Sequence, residues 1–554
     1  MVFSLAALLI IGCTSGSKKM ETELQTFIDS LELKVKPVEA GAALAYFNAT
    51  TTGNPEEYDN YSKLNIALSK IYADKKAFAQ LKGFKESGEI KDTLLNRQMT
   101  ILYNSFLANQ IDEKLMEQLI LAQTKLEQKY STFRAVVGGK KLTDNEIEEI
   151  LKTSANNKEL EKCWLASKQV GDSVASDVIE LVRMRNSMAH ELGFSNYHEM
   201  SLQLSDQDPA AIENLFDELD SLTRETFASL KADVDAALAK KYNIKPEALM
   251  PWHYQNRFFQ EAPAIYNVNL DSYYEDKDVV KLSKDYYSGI GLDVTSILAK
   301  SDLYEKEGKY QHAYCTHIDR SGDVRVVCNV VNNNQWMNTM LHELGHGVYD
   351  QNIDMALPFF LRTPAHTFTT EAIAMIFGRL SSNPYWIRDN VGIETEEADT
   401  ISNDVTSSLR LEQLVFSRWC QVMFRFEKSM YTNPDQDLNK LWWDLAEKYQ
   451  LVKKPEGRNS ADWASKIHVA LYPCYYHNYQ LGELLASQLQ SYINTNILNG
   501  ASNDVVSLSN KSEIGSFLLH KVFKPGAKYQ WNDMIKRATG EELTAKYYAK
   551  EFIK

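Results

Sequence analysis

The spacing of apolar positions along the chain predicts a protein built mostly of helices. Apolar residues recur every three to four positions in residues 21–47, 112–130, 173–192 and 395–431. Only 13 prolines and 24 glycines occur among 554 residues, and this composition suits long helices. No repeat, low-complexity segment or flexible linker divides the sequence. We therefore expect a mainly α fold and one large helical unit over residues 20–554.

Two short regions have the pattern of strands rather than helices. Residues 133–137 and 140–142 flank Gly138 and Gly139, which predicts a small hairpin. A second hairpin is predicted within residues 310–330, where β-branched residues surround a polar turn. This second hairpin leads directly into a helix that carries candidate chemistry, so we expect it to form one wall of the site.

The second hairpin also contains two of the six cysteines. If its strands pair symmetrically about Ser321 and Gly322, the numbers of paired residues sum to 643, and Cys315 lies opposite Cys328. A disulfide could then join the strands in an oxidising compartment. Two buried free thiols are the equal alternative.

The first residues indicate export. Residues 2–12 are almost wholly apolar and too short to span a bilayer, although no basic residue precedes them. Ile10-Ile11-Gly12-Cys13 resembles a bacterial lipobox, in which Cys13 is lipidated, so residues 1–19 are read as a signal and tether. The expected location is the bacterial envelope, at the outer membrane facing the periplasm, with membrane contact only through the lipid. The alternative is a cytosolic protein with an apolar N-terminus.

The charge of the chain bears on its partners. The formal net charge is -14, and the pI is about 5.4. Phosphate binding needs a basic surface, so nucleic acid is not expected as a partner. The acidity by itself indicates only solubility.

One helical stretch, residues 338–349, carries the candidate chemistry. It contains His342-Glu343-Leu344-Gly345-His346. Histidines four residues apart project about 40° apart around a helix, a geometry in which both can bind one Zn²⁺. Glu343 between them can reach a water at an open coordination position. The competing interpretation is an ordinary helix face, but histidine is scarce, with 11 in the chain.

A catalytic zinc site needs a third protein ligand. Tyr349 and Asn352 stand where one known pattern requires glycine and histidine, so an acidic residue on a following helix is the remaining option. Glu371 is the best candidate, because it is a lone carboxylate opening an apolar helix. Residues 394–397 form a polar run that is more typical of a solvated face. The implied reaction is amide hydrolysis, with Glu343 as general base.

Two later runs offer hydrogen-bond donors for an oxyanion. Lys466 lies two residues before His468, and an extended segment would aim both in one direction. Tyr476 and Tyr479 share a helix face. Without further information, core aromatics and a solvated surface lysine would be the preferred interpretation.

These motifs together resemble zinc peptidyl-dipeptidases of the angiotensin-converting-enzyme family, especially bacterial members, and also the related thimet and oligopeptidase F families. The resemblance runs from about Leu44 to the C-terminus. It is carried by residues 51–58, His312-Ala313, residues 338–349, Leu357-Pro358 with Arg362, residues 371–373, Lys466-x-His468, and Pro473 followed by Tyr476-x-x-Tyr479.

The resemblance implies a large, two-lobed helical fold with a deep central channel, and we expect the small β-hairpin predicted above to lie beside the zinc helix. Residues 20–130 would form lid helices, and residues 300–500 the catalytic core. Short peptides would be the substrates and one zinc ion the cofactor. The implied roles are zinc ligation by His342, His346 and Glu371, base catalysis by Glu343, oxyanion binding by His468 and Tyr479, binding of a substrate C-terminal carboxylate by Lys466 and Tyr476, and binding of substrate backbone by His312 and Ala313.

The sequence departs from the family pattern at two positions. Asn478 replaces an arginine of a chloride site, and Met375 replaces an aspartate that would orient His342. The Tyr-Tyr-x-x-Tyr run also resembles the oligopeptidases. Release of C-terminal dipeptides and internal cleavage therefore both remain open as the mode of cleavage. A zinc- or peptide-binding lipoprotein without catalysis is a third alternative.

Overall fold

A computed structural model describes residues 4–266, 268–500 and 507–553, with side chains from residue 16 onward. The described chain is mainly helical, as predicted. The side chain of Cys13, the predicted lipidation site, lies outside this description. The helices are α1 (Ser4–Thr52), α2 (Pro55–Tyr72), α3 (Lys75–Ser87), α4 (Thr93–Ala108), α5 (Glu113–Thr132), α6 (Asp144–Thr153), α7 (Asn157–Glu191), α8 (Tyr197–Leu204), α9 (Pro209–Tyr242), α10 (Val279–Gly289), α11 (Thr295–Lys300), α12 (Asn334–Gln351), α13 (Thr367–Gly378), α14 (Pro384–Val391), α15 (Thr395–Thr432), α16 (Leu438–Leu445), α17 (Ile467–Leu471), α18 (His477–Tyr492), α19 (Ser512–Leu518), α20 (Trp531–Thr539) and α21 (Lys546–Phe552).

Local sequence explains where several helices begin. Asn54 caps α2 by accepting the Glu56 N–H, and Pro55 occupies the first helical position, where its missing N–H costs nothing. Thr143 and Glu146 form a reciprocal capping box at the start of α6, as the sequence predicts.

The first predicted hairpin is confirmed. Strand β1 (Ala135–Val137) pairs antiparallel with β2 (Lys140–Leu142). Gly138 and Gly139 join them with φ values of 58° and 84°. This two-residue turn needs positive φ at both positions, which glycine adopts at little cost.

The second hairpin forms, but the predicted register is wrong. In β3 (Tyr314–His317) and β4 (Val324–Val327), Cys315 pairs with Val326, so paired numbers sum to 641. The Asp319 carboxylate accepts the Ser321 and Asp323 N–H groups, which centres the turn one residue earlier. Cys328 lies beyond the last pair.

The possible disulfide between the strands is therefore not formed in this structure. Cys315 and Cys328 are both free thiols. The Cys328 N–H donates to the Asp302 carbonyl oxygen at 2.9 Å instead of continuing the β3–β4 ladder.

The chain packs into two compact units that are interleaved in sequence. Unit 1 contains Met1–Gln110, Leu270–Glu394 and Leu489–Leu543. Unit 2 contains Ile111–Asn269, Thr395–Gln488 and Thr544–Lys554. Each unit is thus assembled from three separate stretches of sequence. The proposed lid role of residues 20–130 and the single catalytic unit over 20–554 stay predictions.

In unit 1 the N-terminal helices share an apolar core. The buried side chains of α1 recur at helical spacing and meet those of α3 and α4. They are Leu24, Ile28, Leu31, Val35, Leu81, Phe84, Leu95, Met99, Leu102 and Phe106. Within the described residues, no helix combines the length and the apolarity needed to cross a membrane.

In unit 2 the long helix α7 supports the segment that precedes Lys466. A Cβ atom at Gly171 of α7 would lie 2.2 Å from the Ala461 carbonyl oxygen, so only glycine allows this approach. Asp172 accepts the Ala461 N–H at 2.8 Å. A 3₁₀ turn, Asp462–Ser465, follows and leads into Lys466.

Candidate metal centre

Helix α12 carries the His-Glu-x-x-His motif and is fixed on two sides. Its N-terminus is capped by Asn333, whose side chain accepts the Trp336 N–H at 2.8 Å. Its buried face packs within unit 1 against α13 and the β3–β4 hairpin. The fully buried apolar side chains of this face are Met337, Met340, Leu341, Leu344 and Val348.

Gly345, inside the motif, sets the distance between α12 and α13. A Cβ atom at this position would lie 2.9 Å from Ala374 Cα and 3.2 Å from Ala374 N. The obstacle is backbone, which cannot move aside as a flexible side chain can. The close contact brings the first turns of α13, and with them Glu371, beside the two histidines.

The three predicted ligands meet in space. His342 Nε2 lies 3.7 Å from Glu371 Oε2, and His346 Nε2 lies 3.9 Å from the same oxygen. One ligand atom from each residue lies within 4.8 Å of the others. Ligands about 2.0 Å from a tetrahedral zinc are separated by about 3.3 Å, so small side-chain adjustments close the site around one ion.

The charges at this cluster favour a divalent cation. Burial lowers the pKa of His342 to about 4, and burial together with His342 lowers the pKa of His346 to about 3. Both imidazoles are therefore neutral at pH 7 and can donate lone pairs. Burial raises the pKa of Glu371 to about 7. Among the described residues no lysine or arginine pairs with Glu371, and a bound cation would compensate its charge.

The two histidines differ in their support. His346 Nδ1 lies 2.7 Å from the Thr370 hydroxyl oxygen, which leaves Nε2 for a metal. His342 has no hydrogen-bond partner within the described part of the chain, and Met375 is half-buried one turn after Glu371. Among the described residues, no other side chain therefore replaces the aspartate that the family resemblance places at position 375 as a hydrogen-bond partner of His342.

Glu343 is held on the hairpin side of α12. Its side chain is 8 % exposed. Burial and the nearby Glu371 carboxylate raise the pKa of Glu343 to about 8, while the Cys315 N–H donates to it and opposes this shift. Strand β3 therefore contacts the candidate base directly, and the hairpin forms a wall of the site as predicted.

His312 and Ala313 lie immediately before β3, in the same unit as the metal ligands. His312 is exposed, and its ring centroid lies 5.1 Å from that of Tyr310. Ala313 is half-buried. Asn329 Nδ2 donates to the carbonyl oxygens of Tyr310 and Gln311, which anchors this stretch. The proposed contact of His312 and Ala313 with substrate backbone stays a prediction.

Unit 2 gathers the other predicted site residues around Lys466. Lys466 is 8 % exposed, so it is not a solvated surface lysine. Its Nζ donates to Gln260 Oε1 at 2.5 Å and lies 5.4 Å from the ring centroids of Phe258, Trp419 and Tyr476. Burial lowers its pKa to about 8.

His468, Tyr476 and Tyr479 form an aromatic group beside Lys466. The His468 and Tyr476 ring centroids are 5.1 Å apart, and those of Tyr476 and Tyr479 are 5.3 Å apart. Burial and the Lys466 charge lower the pKa of His468 to about 4. The predicted extended segment is wrong in part: Lys466 is extended, but His468 lies on the short helix α17, because residues 467–471 close a helical turn.

Three groups that contact the predicted site residues were not predicted from the sequence. Thr370 precedes Glu371, and its hydroxyl could have been noted as a partner for a ligand histidine. Gln260 has no sequence signal, since it lies 206 residues before Lys466. The Cys315 N–H is a backbone group whose position depends on the true hairpin register.

Comparisons with known proteins point to one family. The sequence model of the family described as "Angiotensin-converting enzyme" matches residues 18–552. A curated relative, an inactive angiotensin-converting enzyme-related protein of Caenorhabditis elegans, is 27% identical over 134 residues. That alignment covers 23% of this chain and 15% of the relative, so it spans a small part of the relative's length.

Proposed function

The chain belongs to the angiotensin-converting-enzyme family of peptidases, and from this premise we propose that it is an active zinc-dependent peptidase that hydrolyses short peptides. The observation that carries the proposal is the convergence of His342, His346 and Glu371 within 4.8 Å, with Glu343 buried beside them. This set provides three zinc ligands and a base, which is the composition of a catalytic rather than a structural zinc site.

The residues of this chain have distinct tasks in the proposed reaction. When bound, zinc supplies Lewis-acid chemistry at the scissile carbonyl. Glu343 accepts a proton from the attacking water, whose oxygen bonds to the carbonyl carbon, and returns it to the leaving nitrogen as the C–N bond breaks. His468 and Tyr479 are proposed to donate hydrogen bonds to the carbonyl oxygen as it gains charge.

The mode of cleavage is proposed as release of dipeptides from the peptide C-terminus. The support is Lys466, a buried cation without a carboxylate partner among the described residues, next to the Tyr476 ring. A free substrate carboxylate would supply the missing negative charge. His312 and Ala313 are proposed to bind substrate backbone. Internal cleavage in the manner of the oligopeptidases is the alternative.

The name of the nematode relative gives a reason to consider an inactive binder as well. This chain has His342, His346, Glu371 and the base Glu343, so its own residues favour catalysis.

A chelator and a base variant test the proposed activity. Purified protein with and without a zinc chelator, and the Glu343→Gln variant, are incubated with a mixed peptide set and analysed by mass spectrometry. We expect chelator-sensitive cleavage by the wild type and a loss of roughly 10²–10⁴-fold or more in Glu343→Gln, because the base is removed. Zinc content should remain one per chain. An inert wild type, or an unimpaired variant, contradicts the proposal.

We also propose that Cys13 carries a lipid that holds the protein at a bacterial envelope membrane. The support is the apolar run of residues 2–12 before Cys13. Labelling with a radioactive fatty acid tests it: the wild type should incorporate label, and Cys13→Ser should not.

A further inference from the structure

The segment between His468 and Tyr479 contains a residue in an unusual backbone conformation. Cys474 has a φ of +57°, in the left-handed region that favours glycine. Its side chain is 5 % exposed. Cys474 stands two residues before Tyr476 and three before α18, so its conformation sets the direction in which the chain enters that helix. Such a conformation persists only where the surroundings hold it.

A buried carboxyl group holds Cys474 in place. Glu427 on α15 is 2 % exposed, and its Oε1 accepts the Cys474 N–H at 2.8 Å. Arg185 of α7 also carries a charge that acts on Glu427, and its Nη1 donates to the Tyr431 hydroxyl oxygen at 3.2 Å. Tyr431 lies one turn beyond Glu427 on α15. The anchor of Cys474 is thus itself fixed between two long helices.

A buried amide holds the two residues that follow Tyr476. Gln207, between α8 and α9, is 3 % exposed. Its Nε2 donates to Asn478 Oδ1 at 2.8 Å, and its Oε1 lies 2.8 Å from His477 Nε2. His477 Nε2 therefore carries the hydrogen of this pair. Tyr476 therefore lies between Cys474, which Glu427 holds, and His477 and Asn478, which Gln207 holds.

We propose that Glu427 and Gln207 are positioning residues, which hold residues 474–478 so that Tyr476 and Tyr479 present their hydroxyl groups from the start of α18. The expected effect on kcat rests on the proposed peptidase function. The holding of residues 474–478 by Glu427 and Gln207 does not. Neither positioning side chain contacts Tyr476 or Tyr479 through a described hydrogen bond. Both act on the backbone or on the neighbouring side chains, so a change in either one rotates the tyrosines together.

Hydrogen exchange tests whether Glu427 holds residues 474–478 in place, and it does not require an active enzyme. In Glu427→Leu, which has no acceptor, amide hydrogens of residues 474–479 should exchange faster than in the wild type. Glu218→Leu is the matched control, because Glu218 also accepts a backbone N–H in unit 2, that of Ala545 at 3.2 Å. It should leave exchange of residues 474–479 unchanged. Equal exchange in wild type and Glu427→Leu overturns the proposal.

Kinetics test whether the effect passes through Tyr479. We expect Glu427→Leu to lower kcat by roughly 10²-fold, the cost of misplacing a catalytic group by about 1 Å. In a Tyr479→Phe background the same change should lower kcat much less, because the group it positions is already absent. An equal fold-loss in both backgrounds indicates general damage and overturns the positioning role.

Two further variants cover the case in which Glu427→Leu does not fold. Glu427→Gln keeps an acceptor oxygen and should restore both the exchange pattern and most of kcat. Gln207→Met keeps the length of the side chain but removes both hydrogen bonds, and it should reproduce the losses expected for Glu427→Leu. A wild type without peptidase activity would contradict the proposed function. The exchange measurements would still test whether Glu427 and Gln207 hold residues 474–478.

Discussion

Lys466 is the residue whose environment most affects the proposed mode of cleavage. It is buried, its Nζ contacts only the neutral Gln260 oxygen among the described acceptors, and burial lowers its pKa to about 8. A lysine kept in this setting without a counterion is suited to bind an incoming carboxylate, since that charge would stabilise its protonated form.

The first prediction concerns amidated peptides. Replacing the substrate C-terminal carboxylate by an amide should lower kcat/KM of the wild type by roughly 10–100-fold, the worth of a charge-assisted hydrogen bond of about 1.5–3 kcal/mol. Lys466→Ala should be slow on both peptides and should no longer distinguish them. Matched peptides that differ only at the C-terminus provide the control. Equal hydrolysis of both by the wild type, with cuts at varied distances from the end, would instead establish internal cleavage.

For individual residues, the sequence predicts those that belong to a motif and misses those that act through tertiary contacts. His342 and His346 follow from helix geometry, and Glu371 follows as a lone carboxylate at the start of an apolar helix. Thr370 and Gln260 are ordinary polar residues until the fold places them beside His346 and Lys466. Burial of Lys466 was likewise not predicted, because a lysine side chain is usually exposed.

Among the elements, the contact between α12 and α13 determines whether the three candidate metal ligands meet. The second prediction is that Gly345→Ala destabilises the protein by about 1–3 kcal/mol, because its Cβ would lie 2.9 Å from Ala374 Cα. The helices must separate, so zinc affinity should fall as well. Denaturant unfolding and competition with a chelator measure the two effects.

Gly83→Ala is the control for this substitution. Gly83 lies inside α3, and a Cβ there would have no atom within 4 Å. Alanine should therefore stabilise the protein by about 0.5–1 kcal/mol through helix propensity, with zinc affinity unchanged. If Gly345→Ala behaves like Gly83→Ala, the close approach of the two helices does not limit the metal site.

Long amphipathic helices and the Gly138-Gly139 hairpin were readable from the sequence because their signals are local. The register of β3 and β4 was not, because the side chain of Asp319 moves the centre of the turn by one residue. The turn of α17 was missed for a similar reason: five residues carry too weak a periodicity to outweigh an extended interpretation.

For the molecule as a whole, Glu427 links stability to pH. Burial raises the pKa of Glu427 to about 8, while the Cys474 N–H and Arg185 oppose this rise. The unfolded pKa is about 4.3. The folded protein keeps a proton that the unfolded chain releases, so the stabilisation is complete below the unfolded pKa. It is lost as pH rises through about 8.

The third prediction follows from this sign. Between about pH 6 and pH 8, the free energy of unfolding of the wild type should fall more steeply than that of Glu427→Gln, by up to about 1.4 kcal/mol per pH unit. Urea unfolding of both proteins over this range, at fixed zinc concentration, measures the difference. Parallel pH curves would show that Glu427 is ionised in the folded protein throughout.

The interleaving of the two units has a consequence for the order of events during synthesis. Tyr349, on the metal helix, packs its ring 4.9 Å from that of Phe523, and the Ala527 N–H bonds to the Leu361 carbonyl oxygen at 3.0 Å. A ribosome that adds roughly 5–20 residues per second has added both histidines and Glu371 at least roughly 7–30 seconds before it completes residues 519–527. During that interval Tyr349 on α12 lacks its contact with Phe523, and Leu361 lacks its hydrogen bond with Ala527. We therefore expect a nascent chain halted before residue 489 to be a client for holdase chaperones. We expect stable zinc binding only after translation has passed these residues.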